Sequence, residues 1–198
     1  MKGQASVQIA LVSASPTLAQ ARATVGSAFD AAPACAVHVL DLDGSYVPLR
    51  DEQVVTPRDL GVETRELHVR AILLDPIDLV RWTQPALVRH ALRAAPTVLT
   101  VSAGVLLLQD PSELTDLADQ HQVALIARCA EALPADGTCP GPVDLLAAGS
   151  YTPHLLAVSR RATAFLDLWE QLAADPRTAS GRWLDVAASH LAHHTVHG

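Results

Sequence analysis

Carboxylates two positions apart and histidines four apart are spacings that can hold a metal ion, and this chain has both. Asp41 and Asp43 close the apolar run "ACAVHVLDLDG". Alternate side chains of an extended segment share a side, so these two could hold a cation or a ribose together. The plainer reading is an acidic strand ending, with Gly44 as the turn residue. At the far end stand His190, His193, His194 and His197. His190 and His194 share a face if the preceding helix continues, which suits one metal. Asp43 and His194 are thus the candidate metal ligands. Without carboxylate partners, a solvated tail over 190–198 is the plainer reading. Asp185 stands three residues after Arg182 and either anchors it locally or works at a site.

Several chemistries are disfavoured at once. No Gly-x-Gly-x-x-Gly opens a helix, no Gly-x-x-x-x-Gly-Lys-Ser/Thr occurs, and no Gly-x-Ser-x-Gly is present. The net charge is −7, and the densest basic point is Arg160-Arg161 at an expected helix start. Nucleic acid is not an expected partner, because phosphate binding needs a basic footprint. Cys35, Cys129 and Cys139 lack metal-type spacing and read as reduced, structural thiols. His121 closes an expected helix, where the dipole favours it.

These residues must be carried by a core, and 198 residues suffice for one domain over 1–189 with the tail beyond it. Hydrophobic residues make up 49% of the chain but aromatics only 4%, so Ala, Val and Leu must fill the interior. No apolar run reaches the roughly 18 residues that span a bilayer. "VQIALV" reads as a first strand rather than part of a signal peptide, and a cytoplasmic protein is expected.

Strand and helix patterns alternate. "SVQIALVSAS", "ACAVHVLDLDG", "QVV", "VALIARC" and "HLLAVS" read as strands. Helices are expected over "PTLAQARATVGSAF", "VETRELHVRAILL", "DPSELTDLADQHQ", "VDLLAAG", "SRRATAFLDLWEQLAAD" with Ser159 as cap, and "SGRWLDVAASHLA". "DPIDLVRWTQPALVRHALRA" begins on an Asp75 cap and must kink or split at Pro85. "PTVLTVSAGVLLLQDPSEL" reads as two strands around the uncharged joint Ser102-Ala103-Gly104. This order predicts a three-layer α/β/α sandwich on a mainly parallel, mixed sheet. Ligands of such sheets lie beyond the carboxyl ends of the strands. The places to inspect are Ser13–Ser15, Asp41–Gly44, Ser102–Gly104 and the segment from Gly149 through Thr152 to His154.

"VVTPRDLGV", "LLDPIDLVRWTQPALVRHAL", "DPSEL", "LLAAGSYTPHLLAVSRRATAFLDLWEQ" and "GRWLDV", in that order, resemble bacterial nucleotide-sugar glycosyltransferases of the GT-A type. The resemblance covers roughly Val54 to Asp185. It implies a GT-A fold, a UDP- or GDP-linked sugar donor and, in an active member, transfer of that sugar. In that family the strand matching Val98–Val101 ends in an Asp-x-Asp pair. Counting back from Glu113-Leu114 puts the pair on Ser102 and Gly104. Mn²⁺ or Mg²⁺ needs oxygen ligands to neutralise a leaving diphosphate, and Ser and Gly supply little.

Other family positions depart too. A Lys-Pro pair reads Gln84-Pro85, and Tyr-Asn-x-Gly-Phe at the sugar reads Tyr151-Thr152-Pro153-His154-Leu155. An Asp-Gln pair reads Ser180-Gly181, while Arg182, Trp183 and Asp185 remain. Pro85, Leu114, Gly149, Phe165, Trp169 and Trp183 survive and read as packing positions. Family members run on past this region, so part of the acceptor pocket is expected to be missing. The implied protein is a degenerate member without a metal cofactor, acting as an accessory, scaffold or regulatory subunit. Its helices Thr17–Phe29 and Ser159–Ala174 would offer faces to a protein partner or a second copy. Asp185 is its best catalytic candidate; Ser13, Ser15, Asp41, Asp43, Ser102, Gly104, Thr152 and His154 would line a nucleotide or sugar. One alternative is an active transferase that lacks a metal or holds one with Asp41, Asp43, Asp185 and His194. Another is an unrelated α/β binding module, which a different strand order would reveal.

Overall fold

The computed structural model describes residues 7–129, 131, 141–175 and 183–195. Strands β1 (Gln8–Ser13), β2 (Ala36–Asp41), β3 (Gln53–Val55), β4 (Thr97–Val101), β5 (Val123–Ala127) and β6 (Tyr151–Ser159) form one six-stranded sheet. Its order is β3-β2-β1-β4-β6-β5. β1 pairs in parallel with β2 and β4, and β3 in parallel with β2, whereas β6 lies antiparallel between β4 and β5. Helices α1 (Leu18–Ala31), α2 (Thr64–Leu73), α3 (Pro76–Ala91), α4 (Ser112–His121), α5 (Pro142–Ala148), α6 (Thr163–Ala174) and α7 (Trp183–Thr195) join or cover the strands.

The alternation of strand residues builds two cores. Ala10, Val12, Leu40, Val98, Leu156 and Val158 face one layer, with Leu87 and Val88 of α3 and Phe165 and Trp169 of α6. Ile9, Leu11, Val37, Val39, Leu99 and Ala157 face the other, with Ala21, Val25 and Ala28 of α1 and Ala118 of α4. Small residues let α1 approach the sheet closely, as the aromatic-poor composition requires. The few aromatics are concentrated instead: Trp169 and Trp183 stack with ring centroids 5.0 Å apart, and Phe165 lies 5.8 Å from Trp169. This cluster clamps α7 onto α6, so Phe165, Trp169 and Trp183 are packing residues.

Local signals work as their chemistry dictates. Asp75 accepts the amides of Ile77 and Asp78 at the start of α3. Gly61, at φ 78°, closes the 3-10 turn Pro57–Leu60. Pro85 lies buried inside α3 without splitting it, since the buried run Thr83–Pro85, Leu87 and Val88 holds both halves on the core.

Three expectations need correction. Val105–Leu108 is not a strand: β4 already has β1 and β6 on its two edges, so no place beside β4 is left for it. The segment packs on α1 instead, where the Leu107 amide donates to Ser27 Oγ at 3.0 Å. Ser159 does not cap α6, because it is the buried last residue of β6 and the helix begins after Ala162. Nor does Arg160 start a helix: it precedes α6 and, though exposed, donates to the carbonyls of Leu92 and Ala95 beyond the end of α3.

The helices expected to face a partner turn their apolar sides inward, with Ala21, Val25 and Ala28 of α1 and Phe165, Leu166 and Trp169 of α6 all buried. Exposed apolar side chains stand elsewhere, on Ile72 and Leu73 of α2, on Ile77, and on Leu106 and Leu108. Cys35 and Cys129 are free thiols, as expected, and Cys139 lies outside the described residues. Among the described residues no helix is long and apolar enough to cross a membrane.

Candidate functional site

In open α/β sheets the opening for a ligand lies where the chain's winding reverses, here between β1 and β4. The β1–β4 register runs from Gln8↔Val98 to Ala10↔Thr100, leaving Leu11, Val12 and Ser13 beyond it. β6 is antiparallel, so its first residues come to the same edge as the last residues of β4 and β5. The strand ends singled out in the sequence therefore meet along one edge.

The first group joins the ends of β1 and β2. Asp43 Oδ2 accepts the Ser15 amide at 2.8 Å and the Ser15 hydroxyl at 2.7 Å, and Oδ1 accepts the Ser45 amide at 3.2 Å. Burial pushes this carboxyl up, but the hydrogen bonds from Ser45 and Ser15 outweigh it and hold its pKa at about 2. Asp41 is buried, with Oδ1 accepting from Gly44 N at 3.1 Å and Oδ2 from Tyr46 N at 3.1 Å. It builds the turn rather than facing a ligand, and Ser13, its register partner, is fully buried with an unpartnered hydroxyl.

Beside this group lies a cleft of about 490 Å³ between the strand ends and helices α2 and α3. Ala14, Leu42, Leu67 and Leu79 give it apolar walls, while Asp43 and His68 supply the polar groups. A mostly apolar hollow with a few polar groups is the usual form of a small-molecule site.

The second group surrounds the joint after β4. Ser102 N donates to the His154 carbonyl at 2.8 Å, and the His154 ring nitrogen Nδ1 lies 3.3 Å from Ser102 Oγ. Thr152 Oγ1 accepts the His154 amide at 3.3 Å. Burial pushes the imidazole pKa down, and the charges of Arg128 and Arg81 push it the same way. Gly104 has φ 97° and gives its amide to Thr24 Oγ1 of α1 at 2.9 Å. Its lack of charge is therefore also a matter of backbone: an aspartate there would be strained. Gln84, where the resemblance placed a lysine, is buried and donates to Thr100 Oγ1 of β4 at 2.6 Å.

Asp185 forms a third point in the first turn of α7, where both carboxylate oxygens accept the Ser150 amide, at 2.9 and 3.0 Å. The expectation that Asp185 anchors Arg182 falls on a residue outside those described. The helix backbone continues through His194 to Thr195, beyond the proposed boundary at 189.

The structure thus pairs Ser15 with Asp43 and Ser102 with His154, and attaches Asp185 to the loop before β6. Among the described residues no three of His, Cys, Asp and Glu come together as a metal site. Asp41, Asp43 and Asp185 each accept backbone amides on their carboxylate oxygens. Sequence reasoning missed Arg81, Arg128 and His68. Arg128 was within reach of the strand-end rule applied to β5, whereas Arg81 reads as a helix-surface ion pair with Asp78.

No protein-family model matches the chain, and no curated protein matches it either. Solved structures do. GlyE, a glycosyltransferase of Streptococcus pneumoniae TIGR4, shares 11% identity over 95% of this chain and 43% of its own, with a TM-score of 0.55. The bifunctional glycosyltransferase WbbM shares 14% identity over 88% of this chain and 35% of its own, at 0.52. Mouse xyloside xylosyltransferase 1 shares 10% over 93% of this chain and 76% of its own, at 0.51. The chain has a GT-A-like glycosyltransferase fold. At these identities the likeness is one of fold, and the chain spans well under half of GlyE and WbbM. Within the GT-A-like fold, the Asp43 cleft and the Ser102 joint both lie at the open edge of the sheet. This likeness of fold is not what an unrelated α/β module would be expected to show.

Proposed function

We propose that this protein is a nucleotide-sugar-binding module of glycosyltransferase type that has lost metal-dependent transfer and serves as an accessory or regulatory subunit in the cytoplasm. One observation carries the reading. The β4 joint offers Ser102 and Gly104 where the resembled family has carboxylates, while the acidic side chains at the end of β2, and Asp185, accept backbone amides. A divalent ion between diphosphate and protein needs oxygen ligands beside the phosphates, and the joint supplies only a neutral hydroxyl. The relocated-metal alternative draws on Asp41, Asp43 and Asp185, which do not come together as one cluster among the described residues, and the Mn²⁺ and chelator arms of a melting-temperature panel test it.

The cleft beside Asp43 is the place for the base and ribose of a UDP- or GDP-linked donor. Its apolar walls suit a ring, and the Asp43 carboxylate is positioned to accept from a ribose hydroxyl. A melting-temperature panel of UDP- and GDP-sugars, run with Mn²⁺ and with chelator, tests the reading. A metal-independent rise with no sugar release supports it. A large rise that appears only with Mn²⁺, together with turnover, would sink it.

A further inference from the structure

The edge that lacks carboxylates gathers basic groups. Arg128 follows β5 directly, and its amide donates to the Ser150 carbonyl at 2.9 Å, which fixes it beside the start of β6. Arg81 lies on α3 one turn before Gln84, the residue whose amide reaches Thr100 of β4, so both project from a shared helix face. His154 lies against Ser102 at the joint itself. Gln84 reaches Thr100 two residues before Ser102, Val101 pairs with Leu155 and Ala127 with Tyr151, so the sheet brings Arg81 and Arg128 to the edge that carries His154.

Carboxylates near this cluster do not cancel it. Asp78 pairs with Arg81 at 3.0 Å, with both side chains partly buried, and Asp185 is engaged by the Ser150 amide. Among the described residues, Arg128 forms no ion pair with a carboxylate. The arrangement reverses the sign of charge at a position where the resembled family gathers a cation on aspartates. A diphosphate needs positive charge, and a guanidinium fork supplies it directly, with two parallel N–H···O bonds to one phosphate.

We propose that Arg81 and Arg128, gathered with His154 beside the Ser102–Gly104 joint, form an anion site that takes a diphosphate group without a divalent cation. The site rests on the nucleotide-sugar reading for its biological ligand, and on the basic cluster alone for its chemistry. Arg128 is the dominant contact because it is exposed and outside any described ion pair. Arg81 contributes less, since Asp78 shares its charge.

Calorimetry with inorganic pyrophosphate in EDTA tests this, using wild type, Arg128→Ala, Arg128→Glu and Arg81→Ala, with circular dichroism to show that each variant is folded. Arg128 is exposed, so its variants keep the fold. Pyrophosphate is expected to bind wild type in chelator, at least fivefold more weakly to Arg128→Ala, and not measurably to Arg128→Glu. Loss of binding in EDTA, or undiminished binding to Arg128→Glu, overturns the proposal.

Parallel titrations with UDP and GDP separate the two readings. Pyrophosphate binding that depends on Arg128, with neither nucleotide binding more tightly, upholds the anion site and removes the nucleotide reading. Nucleotide binding that needs Mn²⁺ and ignores Arg128→Glu removes the anion site.

Discussion

Replacing Asp185 by alanine decides whether the acidic residue kept from the resembled family is structural or works on a ligand. Its two oxygens accept one amide, that of Ser150, and it stands in the first turn of α7. A hydrogen bond to a charged group contributes about 1.5–3 kcal/mol, and solvent exposure of this one brings it toward about 1 kcal/mol. The favourable placement of a carboxylate at a helix start adds about 0.5 kcal/mol. Loss of both is worth about 1.5 kcal/mol, or roughly 3–6 °C in melting temperature for a chain of this size.

Asp185→Asn keeps one acceptor oxygen for the Ser150 amide and is expected to lose about half as much. Scanning calorimetry on the three proteins reads these shifts directly, and a UDP titration beside them reads ligand binding. The structural account requires alanine to lower the melting temperature more than asparagine, with UDP affinity changed less than threefold. A melting temperature within about 1 °C of wild type, combined with lost UDP binding, would refute it and make Asp185 a ligand-contacting residue.

Trp169→Ala removes a 1% exposed ring stacked on Trp183, and a cost of about 3–5 kcal/mol is expected in urea denaturation. Gly104→Ala meets no clash, since Gln20 is the nearest neighbour at 3.8 Å, but φ 97° should cost about 1–2 kcal/mol in the same assay. The Asp43 pKa is about 2 when folded, below its ordinary value, so its contribution is complete above pH about 4 and fades as pH falls toward 2. Linkage caps that contribution at about 2 kcal/mol, and exposure of the carboxylate reduces it to a fraction of that. Stability measured from pH 5 to pH 2 should therefore fall more steeply in wild type than in Asp43→Asn.

Much of the fold was legible because its signals are local. Asp75 before Pro76, Gly61 after its turn, and the alternation in "QIALVS" and "AVHVLD" each act within a few residues. The segment after Gly104 misled because its apolar run is strand-like, and only the sheet order shows that β4 has no edge left to share. The apolar faces of α1 and α6 looked available for the same reason: sequence shows a face but not what covers it. In the site, Asp41, Asp43 and Asp185 were recognisable as candidates. The turn that Asp41 builds was the plainer reading of its stretch. The engagement of Asp43 and Asp185 by the Ser15 and Ser150 amides was not legible, since contacts over 28 and 35 positions leave no periodic trace. Arg81 and Arg128 come from α3 and the end of β5, 47 positions apart by their numbers (128 − 81), and only the sheet brings them to His154.

The most direct measurement of the central claim is the dissociation constant of UDP determined twice by calorimetry, in EDTA and in excess Mn²⁺. Engaged carboxylates and a cationic edge predict binding in chelator, with Mn²⁺ changing the constant less than threefold. Tightening by tenfold or more on adding Mn²⁺, or binding seen only with the metal, would contradict it.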